Sequence, residues 1–162
     1  MDLYMLDVDG TLIESFLRKG APREDYDRVE VLPGRQSWVN QMVDSHKQVA
    51  FALVTNQAGV AMGYQTEEQV YEKMSRVISL LGMWRCPVTV HVSFEHPEAK
   101  IEKYKGSNGM RKPGPGMLLQ ALKAHGVNKQ DSLFVGDMET DEQAALTAQV
   151  PYRRAEEFFH GY

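Results

Sequence analysis

The sequence has a single cysteine, Cys86, and lacks long apolar runs. With one cysteine, an internal disulfide is excluded. No apolar run reaches the length needed to span a bilayer, and the amino terminus enters an apolar strand instead of a basic and apolar leader. We therefore expect a cytoplasmic protein with no membrane partner.

Positive charge is also scarce. Lysine and arginine together number 18 against 22 acidic residues, which gives a net charge of −4. An overall positive field that would attract nucleic acid is therefore absent, and the cluster of Lys100, Lys103 and Lys105 is interpreted as a solvated surface. A small-molecule partner is favoured over nucleic acid.

The length and composition fit one domain. Of the 162 residues, 43% are hydrophobic and 25% are charged, which is ordinary for a globular protein. We expect residues 1–162 to form a single domain that exists as a monomer or a small homo-oligomer.

Segments typical of strands alternate with segments typical of helices. Strands are predicted at residues 3–6, 49–54, 88–92 and 132–135 and near Pro151, and helices after Pro33, after the capping box at Thr66, from Pro115 and through Ala144. These βα repeats predict an α/β fold, a single Rossmann-like three-layer domain with a parallel sheet and helices on both faces. The spacers leave no room for a large cap domain. Residues 14–30 are predicted as a loop or small hairpin over the strand ends, and residues 93–110 as a long surface loop.

Two aspartates, Asp7 and Asp9, follow the first predicted strand directly, and Gly10 then allows the chain to turn. Two carboxylates this close repel each other unless a cation lies between them or one of them is protonated. The alternative is an ordinary polar turn, because aspartate and glycine are common in turns for conformational reasons.

Other polar residues also follow predicted strands. Thr55 and Asn56 end the second strand, and Asp137 and Asp141 follow the fourth. In a parallel sheet these strand ends meet at one edge, where α/β proteins bind ligands. Carboxylate oxygens suit Mg²⁺, so the pattern predicts a magnesium site that supports phosphoryl transfer.

A lysine precedes the third predicted helix. Lys112 lies between Arg111 and the stiff sequence Pro113-Gly114-Pro115, where its charge could neutralise both a carboxylate nucleophile and a phosphate. The alternative is a solvated surface lysine, which is the usual state of this residue type.

Four motifs occur in order along nearly the whole chain: DVDGT, TNQ, RKPGPGM and GDMETD. Together they resemble the four motifs of the haloacid dehalogenase superfamily of phosphatases. TNQAGVAMGYQTEEQ and RKPGPGMLLQAL are most similar to the branch of heptose bisphosphate and histidinol phosphatases. Polynucleotide 3′-phosphatases share the DxDGT, TNQ and KP signatures more loosely.

The resemblance implies catalytic roles for three charged residues. Asp7 would be the nucleophile that forms an aspartyl-phosphate. Asp9 would protonate the leaving alcohol and then activate water, while its main-chain carbonyl helps to hold Mg²⁺. Lys112 would balance the charge of the transferring phosphoryl group.

The resemblance also implies binding roles. Thr55 and Asn56 would bind the phosphoryl group, and Asp137 would complete the metal site with Asp7 and Asp9. Asp141 would be a further metal ligand or would orient the lysine.

The chain departs from that branch in one loop. Many members carry a zinc site of the form Cys-x-His followed by Cys-x-Cys-Arg-Lys, and the corresponding positions here are Ser93, Glu95, Asn108 and Met110. These residue types do not form a tetrahedral zinc site, so we expect the loop to hold itself by packing. His91 and His96 are interpreted as ordinary strand and loop residues.

The sequence therefore predicts a Mg²⁺-dependent phosphomonoesterase that acts on a small sugar phosphate or related metabolite. Arg111 is predicted either to grip a second group of the substrate or to brace its loop through backbone carbonyls. The alternatives are a polynucleotide 3′-phosphatase and a non-catalytic binding module of the same fold.

Overall fold

The computed structural model describes residues 1–18 and 20–162. Its five strands are β1 (Asp2–Leu6), β2 (Val49–Asn56), β3 (Val88–Ser93), β4 (Ser132–Gly136) and β5 (Tyr152–Arg154). Its five α-helices are α1 (Arg35–Asp44), α2 (Glu67–Leu81), α3 (Gly116–His125), α4 (Glu139–Ala148) and α5 (Ala155–Phe158). The predicted strands and longer helices are confirmed, whereas the sequence pattern did not predict the short helix α5.

The strands form one parallel sheet in the order β3-β2-β1-β4-β5. The chain builds one side of the sheet from β1 through β3 and then crosses to the other side for β4 and β5. The point at which this direction reverses lies between β1 and β4, where the carboxyl ends of α/β sheets leave a crevice for ligands. The topology therefore places the crevice beside Asp7.

Helices cover both faces of the sheet, as the βα repeats predict. On one face, α1, α2 and α5 pack through residues such as Trp38, Met74 and Ala155. On the other face, α3 and α4 pack through residues such as Leu118 and Ala145. The molecule is thus a three-layer α/β structure whose central strands are buried on both sides.

Helix α2 begins and ends at the residues that the sequence indicates. The Thr66 hydroxyl accepts a hydrogen bond from the Gln69 amide at 3.1 Å, and the Gln69 side chain accepts one from the Thr66 amide at 2.8 Å. Gly82 follows the helix with φ of 74°, a left-handed conformation that favours glycine. These caps fix where α2 begins and ends, and its buried apolar stripe packs against the sheet.

The two segments predicted as loops contain some regular structure. Residues 14–30 are closed at their base by an antiparallel bridge between Ile13 and Val31 and include a 3₁₀ turn at Arg23–Asp27. Residues 93–110 include a 3₁₀ turn at Glu102–Tyr104. In the described residues neither segment forms a separate cap domain, and no described helix is both long and apolar enough to cross a membrane.

Candidate active site

Asp7 lies at the carboxyl end of the central strand. Its amide donates to the Val135 carbonyl of β4 at 3.0 Å, so the sheet ladder fixes its backbone. Gly10 then turns the chain with φ of 81°, and a Cβ at this position would collide with the Asp137 carboxylate. The glycine therefore allows the two acidic motifs to approach each other.

Lys112 is buried and makes three contacts through its ammonium. Its Nζ lies 2.7 Å from Asp7 Oδ1 and 2.6 Å from Asp141 Oδ1, and it donates to the Val54 carbonyl at 3.1 Å. Burial acts to lower the pKa of Lys112, but the two carboxylates outweigh burial and raise that pKa above its usual value. The solvated-surface alternative for this lysine is therefore wrong.

Three carboxylates form a cluster around this ammonium. Oxygens of Asp7, Asp137 and Asp141 lie within 4.8 Å of one another, and the Thr11 hydroxyl lies 3.3 Å from oxygens of both Asp7 and Asp137. Burial raises the pKa of Asp7 well above its usual range; Lys112 opposes this shift and Asp141 adds to it. When all three carboxylates are ionised, one ammonium leaves two of their negative charges uncompensated, and this oxygen donor set fits one Mg²⁺ ion.

Asp141 uses both of its oxygens inside the protein. One contacts Lys112, and the other accepts hydrogen bonds from the amides of Asp137 at 3.2 Å and Met138 at 3.0 Å. This arrangement ties the lysine to the start of α4. It favours the orienting role that the resemblance implied, and the ligand role of Asp141 stays a prediction.

The amide side chain of Asn56 clamps the backbone of Lys112. Asn56 Nδ2 donates to the Lys112 carbonyl at 3.1 Å, and its Oδ1 accepts from the Lys112 amide at 3.0 Å. Both polar groups of this side chain are thus engaged in positioning the lysine. Thr55 lines the pocket with its hydroxyl, which accepts from Gln57 at 2.9 Å. Phosphoryl binding by Thr55 and Asn56 stays a prediction.

Asp9 is held from two sides. Gln57 Nε2 donates to Asp9 Oδ2 at 2.9 Å, and the side-chain oxygen Gln57 Oε1 accepts from Gln65 Nε2 at 3.3 Å. On the other side the Lys73 ammonium of α2 lies 3.4 Å from Asp9 Oδ1. The side chain of Lys73 is 2% exposed, so this lysine belongs to the interior.

Sequence reasoning missed Lys73, Gln57 and Thr11. Lys73 interrupts the apolar stripe of α2 between Val70 and Val77, and a lysine on the buried face of a helix is a signal for a charged partner. Gln57 lies within the TNQ motif and Thr11 within the DVDGT motif. The motif patterns assign no role to either side chain. Only the folded chain shows which acid each of them contacts.

Arg111 combines features of both predicted roles. Its Nη1 donates to the Glu95 carbonyl at 3.3 Å, which braces the loop. The rest of the half-buried guanidinium lines the pocket, and burial lowers the pKa of Arg111. A grip on substrate stays a prediction.

Two connected pockets open at this edge of the sheet. The first, of about 310 Å³, is lined by the acids and Lys112. The second, of about 460 Å³, shares Leu17, Asn56 and Arg111 with it. The second pocket also includes Arg18, Met62 and the paired rings of Tyr26 and Tyr64, whose centroids are 5.6 Å apart. The two pockets therefore meet at Leu17, Asn56 and Arg111.

The loop at residues 93–110 is held by its own contacts. The Glu95 carboxylate accepts from the Asn108 amide at 3.1 Å, and the Asn108 side chain accepts from the Met110 amide at 3.0 Å. The ring of Phe94 packs on Tyr104 with centroids 6.3 Å apart. Three of the four positions that correspond to zinc ligands in related proteins, Glu95, Asn108 and Met110, are joined by these bonds, whereas the buried Ser93 hydroxyl has no hydrogen-bond partner among the described residues. The bonds and the ring contact support the prediction of a self-supporting loop.

His91 lies in β3 within a separate polar chain. The Thr89 hydroxyl lies 2.8 Å from Nε2 of both His91 and His125, and His91 Nδ1 lies 2.8 Å from the Gln120 side chain. Burial lowers the pKa of both histidines, and the charge of His91 lowers that of His125 further.

Comparison with known proteins identifies the family. Residues 2–159 match the model of the family described as polynucleotide kinase 3 phosphatase. The chain belongs to this family. The match spans all four motifs, so the resemblance to haloacid dehalogenase superfamily phosphatases is confirmed.

Curated relatives belong to the branch that the motifs indicated. A D-glycero-beta-D-manno-heptose-1,7-bisphosphate 7-phosphatase of Yersinia pestis is 32% identical over 146 residues, covering 82% of this chain and 73% of its own length. The corresponding enzyme of Photorhabdus laumondii is 38% identical over 109 residues, covering 62% of this chain and 54% of its own length. The chain thus spans about half the length of several curated relatives.

Solved structures share the fold. The D,D-heptose 1,7-bisphosphate phosphatase of B. bronchiseptica, solved with magnesium and phosphate, matches with a TM-score of 0.72 and 23% identity. The match covers 94% of this chain and 79% of that one. The three-layer α/β fold predicted from the sequence is confirmed.

Proposed function

We propose that the chain hydrolyses phosphomonoesters in a Mg²⁺-dependent reaction that passes through an aspartyl-phosphate on Asp7. The observation that carries the proposal is the contact at 2.7 Å between Asp7 and the buried Lys112, inside a cluster that also contains Asp137 and Asp141. A non-catalytic module of this fold would not need Asp7, Asp9, Lys112 and Asp137 together.

In the first half of the reaction an oxygen of Asp7 attacks phosphorus. The new bond joins Asp7 to phosphorus while the bond from phosphorus to the ester oxygen breaks, and Asp9 gives its proton to the leaving alkoxide. Lys112 stabilises the negative charge that the phosphoryl group carries throughout. The sheet ladder fixes Asp7 for an in-line approach.

In the second half a water attacks the phosphorus of the aspartyl-phosphate. Asp9, now a carboxylate, takes a proton from that water, and the bond between phosphorus and Asp7 breaks. Inorganic phosphate leaves, and both aspartates return to their starting states. The same two residues therefore serve both halves of the cycle.

The metal would be held by carboxylate oxygens of Asp7 and Asp137 and the main-chain carbonyl of Asp9. When bound, Mg²⁺ neutralises negative charge so that an anionic carboxylate and an anionic phosphate can approach each other. Asp141 would hold Lys112 in place beside this site.

The substrate that we propose is a small sugar phosphate. The relatives named above act on a heptose bisphosphate according to their names, and the net charge of −4 disfavours an extended polyanion. The guanidinium donors of Arg111 other than the one that contacts the Glu95 carbonyl lie at the junction of the two pockets and would bind a hydroxyl or a second phosphate.

A polynucleotide 3′-phosphate is the second candidate. It is favoured by the description of the family and by the second pocket, where the exposed ring of Tyr64, packed on the buried Tyr26, offers aromatic surface near the cationic Arg18 and Arg111. Bases stack on such surfaces, and cations contact the phosphate backbone.

A substrate panel tests both candidates. Hexose and heptose phosphates, histidinol phosphate, nucleotides and 3′-phosphorylated oligonucleotides are compared by kcat/KM with and without Mg²⁺. A preference for oligonucleotides that weakens steeply with salt would replace the sugar phosphate by the second candidate. If a small substrate is preferred, Arg111→Ala should impair it far more than a generic aryl phosphate.

A further inference from the structure

The inference concerns Lys73, a buried lysine on α2 that no motif includes. Its side chain is 2% exposed and lies on the same helix face as the fully buried Val70, Met74 and Val77. Lysines are rarely buried to this extent unless they are paired. In the described residues, Asp9 is the one carboxylate that lies within 4 Å of its ammonium.

The Asp9 carboxylate is contacted on both of its oxygens. Lys73 lies 3.4 Å from Oδ1, and Gln57 donates to Oδ2 at 2.9 Å. Gln57 is itself fixed by Gln65 and by Thr55. Each carboxylate oxygen has two lone pairs, so Asp9 can still hold a proton and pass it into the pocket that it lines with Asp7.

We propose that Lys73 is a positioning residue for the proton transfer performed by Asp9. The inference rests on the proposed phosphatase function. Lys73 acts from α2 while Gln57 acts from the segment after β2, so two elements hold the carboxylate in one orientation. A proton donor is effective only when it lies within hydrogen-bond reach of the departing oxygen, and two fixed contacts keep Asp9 there.

Leaving-group dependence separates this role from a purely structural one. A poor leaving group, such as the alkoxide of glycerol phosphate, needs a proton as its bond to phosphorus breaks. The p-nitrophenolate of p-nitrophenyl phosphate departs without one. Misplacement of Asp9 should therefore slow the alkyl ester selectively, whereas general damage to the fold would slow both substrates by the same factor.

The test variant is Lys73→Met, which keeps most of the length of the side chain and removes its charge. Initial rates give kcat/KM for both esters, a parameter that covers the steps up to loss of the leaving group. We expect kcat/KM for glycerol phosphate to fall by about 10²-fold and that for p-nitrophenyl phosphate by less than about 3-fold. The matched control is Met74→Leu, at the next buried position of α2, which should leave the ratio of the two values unchanged.

Equal losses for the two substrates, or no loss for either, would overturn the role of Lys73. If Lys73→Met does not fold, as judged by circular dichroism, Lys73→Gln is measured in its place against the same criterion. Failure of the wild-type protein to hydrolyse these two esters and every phosphomonoester of the substrate panel would instead refute the proposed function. The two failures are therefore distinguishable.

Discussion

Two buried lysines each face a motif aspartate, and the two pairs differ in how tightly they are held. Lys112 has three partners, two carboxylates at 2.7 and 2.6 Å and the Val54 carbonyl at 3.1 Å. Lys73 has one carboxylate at 3.4 Å. The side chain of Asp7 is 9% exposed, whereas that of Asp9 is 15% exposed.

The difference fits what each aspartate is proposed to do. The nucleophile must meet phosphorus from one fixed direction, and the charge beside it is needed in every step, so a rigid clamp around Asp7 serves it. Asp9 must give a proton and take one back. Its neighbours orient it while they leave lone pairs free for that exchange.

The largest expected effect comes from removal of the nucleophile. Asp7→Asn should lower kcat by at least about 10³-fold, because an amide oxygen does not form the acyl phosphate. Steady-state assay of phosphate release checks this. Asp44→Asn is the matched control, since the carboxylate of Asp44 is exposed at the end of α1. Substantial turnover by purified Asp7→Asn would contradict the assignment.

The two lysines should differ in stability when each is replaced. Lys112→Met leaves the buried carboxylates of Asp7 and Asp141 without their cation, which should lower the free energy of unfolding by about 3 kcal/mol without metal. Lys73→Met removes a buried charge and leaves one partly exposed carboxylate, so its stability should change little or increase.

Urea denaturation of both variants in metal-free buffer checks this difference. An equal loss of stability in the two variants would contradict the conclusion that Lys112 is held more tightly than Lys73. Met74→Leu again serves as the control for a change in the core of α2.

Metal binding should distinguish Asp137, a proposed side-chain ligand, from Asp9, a proposed main-chain ligand. Mg²⁺ at about 100 times its Kd should stabilise the protein by about 2.7 kcal/mol, and Asp137→Asn should remove most of this effect. Asp9→Asn should preserve it, because only the main-chain carbonyl of Asp9 is proposed as a ligand. Thermal unfolding with and without Mg²⁺ measures the shift.

Elemental analysis complements that measurement. We expect the purified protein to contain no stoichiometric zinc, because the loop at residues 93–110 offers Ser93, Glu95, Asn108 and Met110 at the relevant positions. One tightly held zinc ion per chain would contradict this account of the loop.

The smallest expected effect lies in the histidine chain, which contains no carboxylate. Burial lowers the folded-state pKa of His91 and His125, so their contribution to stability is fully present above their unfolded pKa and is lost as the pH falls through the folded values. The contribution of these two histidines to the free energy of unfolding should decline on acidification from about pH 7 to pH 5. The raised pKa of Asp7 acts in the opposite direction, so the histidine contribution is read from the difference between the wild-type protein and a histidine variant. Urea denaturation at several pH values measures this decline.

The half-buried His125 provides the variant for this test. His125→Gln should make the decline shallower, because one group with a lowered pKa has been removed. The same pH dependence in the variant and the wild-type protein would mean that His125 does not contribute.

The fold was predictable because its signals are local. Apolar runs of strand length and the caps at Thr66 and Gly82 depend on neighbouring residues, so the order of strands and helices follows from the sequence. The short helix α5 was missed, because its few residues carry too little periodicity to indicate a helix.

The sequence alone also determined the acids and the lysine of the candidate site, because Asp7, Asp9, Asp137 and Lys112 lie in motifs at strand ends and at a helix start. Tertiary structure decided the partner of each one. Asn56 clamps the backbone of Lys112, which is 56 positions away along the chain. Lys73 pairs with Asp9, which is 64 positions away. Such contacts depend on how α2 and the strands pack, and local sequence patterns carry no information about contacts between residues this far apart in the chain.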